Sequence, residues 1–290
     1  MPLKLFLPAL LLLTACAPPR SSRITIGAKN FTEQVVLGEL LAQQIEAETH
    51  QKVDRRFYLA GSYLCHQALV SGRIDAYPEY TGTALTAILK QPLDRDPARV
   101  DETITRLYED RFHIKVEPSL GFNDTFAMVV RGADAEKHHW KTISDVLPVA
   151  STLRLGVGYE FQARPDGLDG LQSTYGLHFG ARPRVMDLGL LYRSLASNQV
   201  DIVAGNSTDG PIKALGFRIL EDDRHYFPPY EAVPLVREDS LAAHPEIQTA
   251  MNKLAGKITA EQMQQMNDQV DGKHQDVAEV VRHFRQTHSL

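Results

Sequence analysis

Few side chains in this 290-residue chain are arranged for covalent or metal chemistry. A thiol nucleophile needs a base held beside it. Cys65 instead lies within residues 64–71, a helix-patterned run, where a buried and inert sulfur is expected. Gly205-Asn206-Ser207-Thr208-Asp209 approaches a nucleophile elbow but has Asp where the second glycine belongs. No His-Glu-x-x-His occurs, and no cysteine cluster suits zinc. His138-His139-Trp140 is the densest histidine group, and neighbouring histidines on one segment read as exposed rather than ligating. No glycine-rich phosphate loop follows the first strand-like run. These observations argue against an enzyme, a metal site or a cofactor, and leave non-covalent recognition as the chemistry to explain.

The N-terminus bears on the compartment. Met1-Pro2-Leu3-Lys4 is a short, weakly positive start, and residues 5–13 are apolar apart from Pro8. A membrane span needs roughly twenty apolar residues, so this run reads as a cleaved export signal. Its end, Leu13-Thr14-Ala15-Cys16, resembles the lipobox of bacterial lipoproteins, which implies cleavage before Cys16 and diacylation of that cysteine. Two acyl chains suffice for stable anchoring, and residues 17–22 would form the tether. With Cys16 lipidated, Cys65 has no partner for an internal disulfide, so stability must come from burial. The remaining length exceeds the usual size of a single core and suits two lobes. The net charge of −5 comes from interspersed residues, with no basic block to attract nucleic acid.

Strand and helix patterns alternate along the chain. Ile24-Thr25-Ile26 alternates and ends at Gly27. A helix follows with Thr32 as its expected cap and Leu37, Leu40, Leu41 and Ile45 on one face. Val53, Phe57 and Leu59 mark a second strand. Residues 64–71 form a helix closed by Gly72, and residues 74–77 a third strand. Such alternation implies parallel pairing with crossover helices. Residues 64–83 also echo residues 190–209: Leu69 matches Leu195, Ser71 matches Ser197, Asp75 matches Asp201 and Tyr80 matches Asn206. Ile24 to Gly27 echo Leu153 to Gly156 in the same way. Two copies of one plan, or generic α/β patterning, account for this. In either case ligands of open α/β sheets sit beyond the carboxyl ends of strands, so the loops after Ala76 and Val203 should face a cleft.

Several segments, in order, are similar to the substrate-binding subunits of osmoprotectant importers of the ATP-binding-cassette type, which take up glycine betaine, choline or carnitine. They are Gly27-Ala28-Lys29-Asn30-Phe31-Thr32-Glu33-Gln34, Tyr77-Pro78-Glu79-Tyr80-Thr81-Gly82-Thr83 and Gly121-Phe122-Asn123-Asp124-Thr125-Phe126-Ala127. Further along come Glu160-Phe161-Gln162-Ala163-Arg164-Pro165-Asp166-Gly167, Ser207-Thr208-Asp209-Gly210 and Phe227-Pro228-Pro229-Tyr230-Glu231-Ala232. The resemblance implies a two-lobed α/β clamp of the periplasmic-binding-protein kind (type II-like), with mixed, mostly parallel sheets. It also implies a small-molecule ligand, and permease and ATPase subunits as partners. Carried over by motif, Tyr80, Phe126 and Tyr230 would face a methylated cation through their π systems, with Asp124 adding negative charge or an acceptor. Lys29, Thr83 and Arg164 would hold a carboxylate, and Lys29 precedes a helix start, where free N–H groups favour an anion.

Two positions depart from the family pattern. Phe126 stands where a tyrosine is usual, and Asn206 where an aromatic commonly precedes Ser-Thr-Asp. Each cation–π contact contributes roughly 0.5–2 kcal/mol, so a lost face weakens binding by about tenfold. Tyr159 could replace that ring, although rim or core packing suits it better. The pocket binds betaine poorly or has been refitted, and Asn206 suits a ligand with a hydrogen-bonding group at that end. The expected lobes are residues 23–123 with 229–290, and residues 124–228, the C-terminal helix packing on the first. A sensory lipoprotein built on the same clamp is the alternative to a transport role.

Overall fold

A computed structural model describes residues 23–290, so Cys16, the signal and the tether lie outside the described residues. In chain order the strands are β1 (Thr25–Gly27), β2 (Asp54–Arg56), β3 (Ala76–Tyr80), β4 (Ile114–Val116), β5 (Phe126–Arg131), β6 (Leu155–Val157), β7 (Arg184–Val185), β8 (Ile202–Asn206), β9 (Phe217–Leu220) and β10 (Ala232–Arg237). They form two five-stranded sheets with orders β2-β1-β3-β10-β4 and β7-β6-β8-β5-β9. The protein is a two-lobed α/β clamp. In each sheet the first three strands are parallel, and the other two pairings are antiparallel. The antiparallel share exceeds what strand–helix alternation alone implies, because β10 and β5 enter each sheet from the opposite end.

In both sheets the antiparallel strands β10 and β5 are buried runs, Ala232-Val233-Pro234-Leu235-Val236 and Ala127-Met128-Val129-Val130, that need cover on both faces. Helix Thr32–Thr49 lays Val36, Leu37, Leu40, Leu41 and Ile45 against β1, and helix Val277–Thr287 adds Val280, Val281 and Phe284 to the same core. The second sheet builds its own cores around Met128, Val130, Leu155 and Ile202 on one face and Val129, Leu191, Leu195 and Val203 on the other.

Local details differ from the sequence reading for identifiable reasons. The first long helix begins at Thr32, with Phe31 in the capping position; the Thr32 hydroxyl donates to Asp271 instead of closing the helix. Tyr58 and Ala60 take φ of 60° and 79°, which stops the second strand at Arg56. Helix Ser62–Val70 ends through Ser71, and Gly72 at φ 70° supplies the left-handed turn. The third strand runs on to Tyr80 despite Pro78, which lies opposite Pro234, so two residues without N–H groups share a ladder position that needs none. Cys65 is buried in its helix, and burial pushes its thiol up to about 12. His138 stacks on Trp140 at 4.9 Å. No helix among the described residues is long and apolar enough to cross a membrane.

Candidate functional site

A cavity of about 300 Å³ opens between the carboxyl ends of β1 and β3 on one side and β6 and β8 on the other. Lys29, Tyr80, Thr83, Asp124, Phe126, Arg164, Asn206 and Tyr230 all line it. Lys29 follows β1, Tyr80 ends β3 and Thr83 sits in the next turn. Phe126 opens β5 and Asn206 closes β8, the two directly opposed in register. Tyr159 lies at the rim and is 68% exposed.

The two cations are already partnered. Lys29, 2% exposed, forms an ion pair with the fully buried Glu79, which also accepts from the Tyr80 backbone N–H at 2.7 Å and the Tyr77 hydroxyl at 3.1 Å. Arg164 grips Asp166 with both forks, Nε at 2.9 Å and Nη2 at 2.5 Å, while Nη1 donates to Thr83 Oγ1 at 2.9 Å. Burial opposes the Arg164 charge, yet the Asp166 carboxylate outweighs it and pushes the guanidinium up; the same pair holds Asp166 below the usual range against its own burial. Tyr230 donates its hydroxyl to Asp166 at 2.6 Å. A buried charge without its partner is costly, so these carboxylates offset the burial of both cations and fix where they point.

Glu160 joins the two sides of the cavity. Its carboxylate accepts from Ser62 N at 2.6 Å and Ser62 Oγ at 3.1 Å, at the start of helix Ser62–Val70. Gly61 permits this approach, since a Cβ there would collide with the Glu160 carboxylate. Burial raises the Glu160 carboxyl, but Lys29, Arg164 and Ser62 together bring it below the usual range.

A second polar group is built on two buried carboxyl side chains. Asp124 accepts from Thr208 N at 3.1 Å and Ser207 Oγ at 3.3 Å. Glu33 accepts from the Tyr80 hydroxyl at 2.7 Å, Asn267 Nδ2 at 2.9 Å and the Thr208 hydroxyl. Burial, and then Glu33, hold Asp124 well above the ordinary aspartate range; burial likewise raises Glu33. Asp124 therefore keeps its proton to higher pH than an exposed aspartate, which limits the negative charge expected of it.

Rings close the remaining walls. Phe31 stacks on Tyr80 at 6.5 Å, while Phe126 meets Phe161 at 5.0 Å and Tyr230 at 5.6 Å, both edge-on. The cationic groups also lie against the rings. Arg164 Cζ lies 4.8 Å from the Phe126 centroid and 5.7 Å from that of Tyr230, and Lys29 Nζ lies 5.0 Å from that of Tyr80. Sequence reasoning did not single out Phe31, Phe161, Glu33, Glu79, Glu160 or Asp166. All six fall inside the quoted motifs, so adjacency was the available signal, but pairing across lobes was not visible in it.

Residues 22–287 match the family described as the substrate binding domain of the ABC-type glycine betaine transport system. The chain belongs to this family. Members are transport substrate-binding proteins and not an enzyme family. As such a component the protein works on the extracytoplasmic side, binding a small solute for permease components of an importer. The carnitine transport binding protein of Listeria monocytogenes is 35% identical over 97% of this chain and 94% of its own. The glycine-betaine-binding protein of Pseudomonas aeruginosa is 32% identical over 96% and 92%. An ergothioneine transport permease/binding protein of Helicobacter pylori is 35% identical over 86% of this chain and 44% of its own. A crystal structure described as a glycine betaine/carnitine/choline ABC transporter superposes with a TM-score of 0.78 at 34% identity, covering 92% of this chain and 98% of that one. A lactococcal protein in its closed, glycine betaine-bound conformation shares the fold at TM-score 0.63 and 14% identity, over 92% and 96%.

Proposed function

We propose that this substrate-binding protein captures a small quaternary-ammonium zwitterion, with Tyr80, Phe126 and Tyr230 facing the cation and Lys29, Thr83 and Arg164 holding the carboxylate. Asp124 serves as an acceptor beside the cation. The observation that carries this reading is the convergence of aromatic rings and two fixed cations from both sheets on one cavity. A methylated ammonium offers no N–H to donate and is held by π faces, whereas a carboxylate asks for charged donors. Relatives named for carnitine, ergothioneine and glycine betaine support the same ligand class.

The reading includes a first lobe of residues 23–123 and 229–290, a second of residues 124–228, and ligand-driven closure between them. The return of β10 to the first sheet and the Glu160 link to Ser62 support it. It also includes lipid attachment at Cys16, supported by the Leu13-Thr14-Ala15-Cys16 sequence, and delivery to a permease driven by ATPase subunits.

Calorimetric titration with glycine betaine, choline, carnitine and proline betaine tests the ligand. Micromolar affinity for at least one zwitterion is expected, and no heat from any of them rejects the assignment. Cys16→Ala should abolish labelling by radioactive palmitate and release the protein from membranes; retained label would reject the anchor.

A further inference from the structure

Asn206 is the departure from the family pattern that the cavity turns to use. It lies directly opposite Phe126 in the antiparallel pairing of β8 with β5, and opposed residues project to the same face of a sheet. The Phe126 ring is inside the cavity against Arg164, Phe161 and Tyr230, so the Asn206 carboxamide projects there as well. Ala204, two residues earlier and therefore on the same face, also lines the cavity and leaves room beneath. The Asn206 backbone is fixed, its N–H donating to Asp209 Oδ2 at 2.8 Å.

Every other buried or half-buried polar side chain lining the cavity has a partner. Lys29 has Glu79, Arg164 has Asp166, Tyr80 has Glu33, Tyr230 has Asp166, Asp124 has Thr208, Glu160 has Ser62, and Thr83 accepts from Arg164. Among the described residues the Asn206 carboxamide makes no hydrogen bond, although it offers both donors and an acceptor. A plain trimethylammonium cannot answer it. Closing the cleft on such a ligand strips water from the amide and leaves it unpaired, whereas a hydroxyl or similar group beside the nitrogen would satisfy it.

We infer that Asn206 is a specificity-determining residue that selects zwitterions carrying a hydrogen-bonding group close to the quaternary nitrogen over those with bare alkyl chains. This rests on the quaternary-ammonium reading above. Sites built to hydrogen-bond a ligand hydroxyl reject the analogue that lacks it far better than apolar sites reject an added group.

Carnitine and γ-butyrobetaine differ by one hydroxyl and provide the matched probes, with glycine betaine as the reference. In calorimetric titration of the purified protein, carnitine should bind about tenfold more tightly than γ-butyrobetaine, or about 1.4 kcal/mol. Asn206→Leu, similar in volume, should bring that ratio near one by weakening carnitine alone. Asn206→Ala, read the same way, serves if the leucine variant melts early. A ratio near one in the wild type, or a preference that survives both substitutions, overturns the inference while the quaternary-ammonium reading stands. Absence of binding to all three by a protein with a normal melting transition overturns both.

Discussion

Asp75 in the first lobe and Asp201 in the second perform one task. Each carboxylate accepts the backbone N–H at the start of the neighbouring parallel strand, Thr25 at 2.7 Å and Arg154 at 2.9 Å. Arg237 and Arg131, closing β10 and β5, likewise send guanidinium donors to the carbonyls that end the equivalent helices, among them Leu69 and Leu195. The register agrees too: Ile26 pairs with Ala76 as Leu155 pairs with Ile202. Where the equivalent strands meet the cavity the lobes part. Tyr80 ends β3 with its hydroxyl on Glu33, whereas Asn206 ends β8 with its carboxamide unspent. The scaffold is held in common by backbone-directed contacts, which tolerate little change. The ligand face differs between the lobes, Tyr80 standing on one side and Asn206 on the other.

The largest expected break in this comparison is at Arg164, which reaches from the second lobe to Thr83 in the first. Arg164→Ala should weaken glycine betaine about 100-fold, or about 2.7 kcal/mol, in calorimetric titration. It should also lower the melting temperature, since Asp166 is left buried without its cation. The paired aspartates sharpen the comparison next. Asp75 is 7% exposed and also accepts from the Ser240 hydroxyl at 2.6 Å. Asp75→Ala should therefore cost about 1–3 kcal/mol in urea unfolding, as expected for stranded buried donors. Asp201, 18% exposed in its side chain, leaves groups that water can reach, so Asp201→Ala should cost less. An equal or reversed order would show that the two contacts are not equivalent.

At the divergent strand ends, Tyr80→Asn would make the first lobe resemble the second. It should weaken glycine betaine by about tenfold through the lost π face; an unchanged affinity would remove Tyr80 from the cation site. A smaller effect concerns pH. Burial, then Asp124, push the Asp209 carboxyl up to about 7, while an unfolded aspartate titrates near about 3.9. The folded protein thus holds a proton that the unfolded chain has released. That contribution is fully present below about pH 4 and is lost as pH rises through about 7. The equivalent position in the first lobe is Thr83, which does not titrate in this range. Thermal melts of Asp209→Asn should fall less between about pH 6 and pH 8 than those of the wild type; parallel curves would assign the slope to other groups.

Much of this was legible in the chain. Alternating apolar patterns and the spacing of Leu37, Leu40, Leu41 and Ile45 follow from local geometry, so sequence alone determined the α/β class and the C-terminal packing helix. The motifs also named eight residues that line one cavity. Local rules could not say that Thr32 would spend its hydroxyl on Asp271, far along the chain, rather than on its own helix. Nor could they pair Lys29 with Glu79, Glu160 with Ser62, or Tyr80 with Glu33. The first and last of those partners are set by packing within the first sheet's lobe and the Glu160 contact by the approach of one lobe to the other, and desolvation there decides which polar groups are satisfied. Residue types and their order were fixed by the sequence itself; only the tertiary structure decided which hydrogen-bonding capacity remained free. Burial makes an unpaired polar atom costly, and burial is a property of the assembled fold.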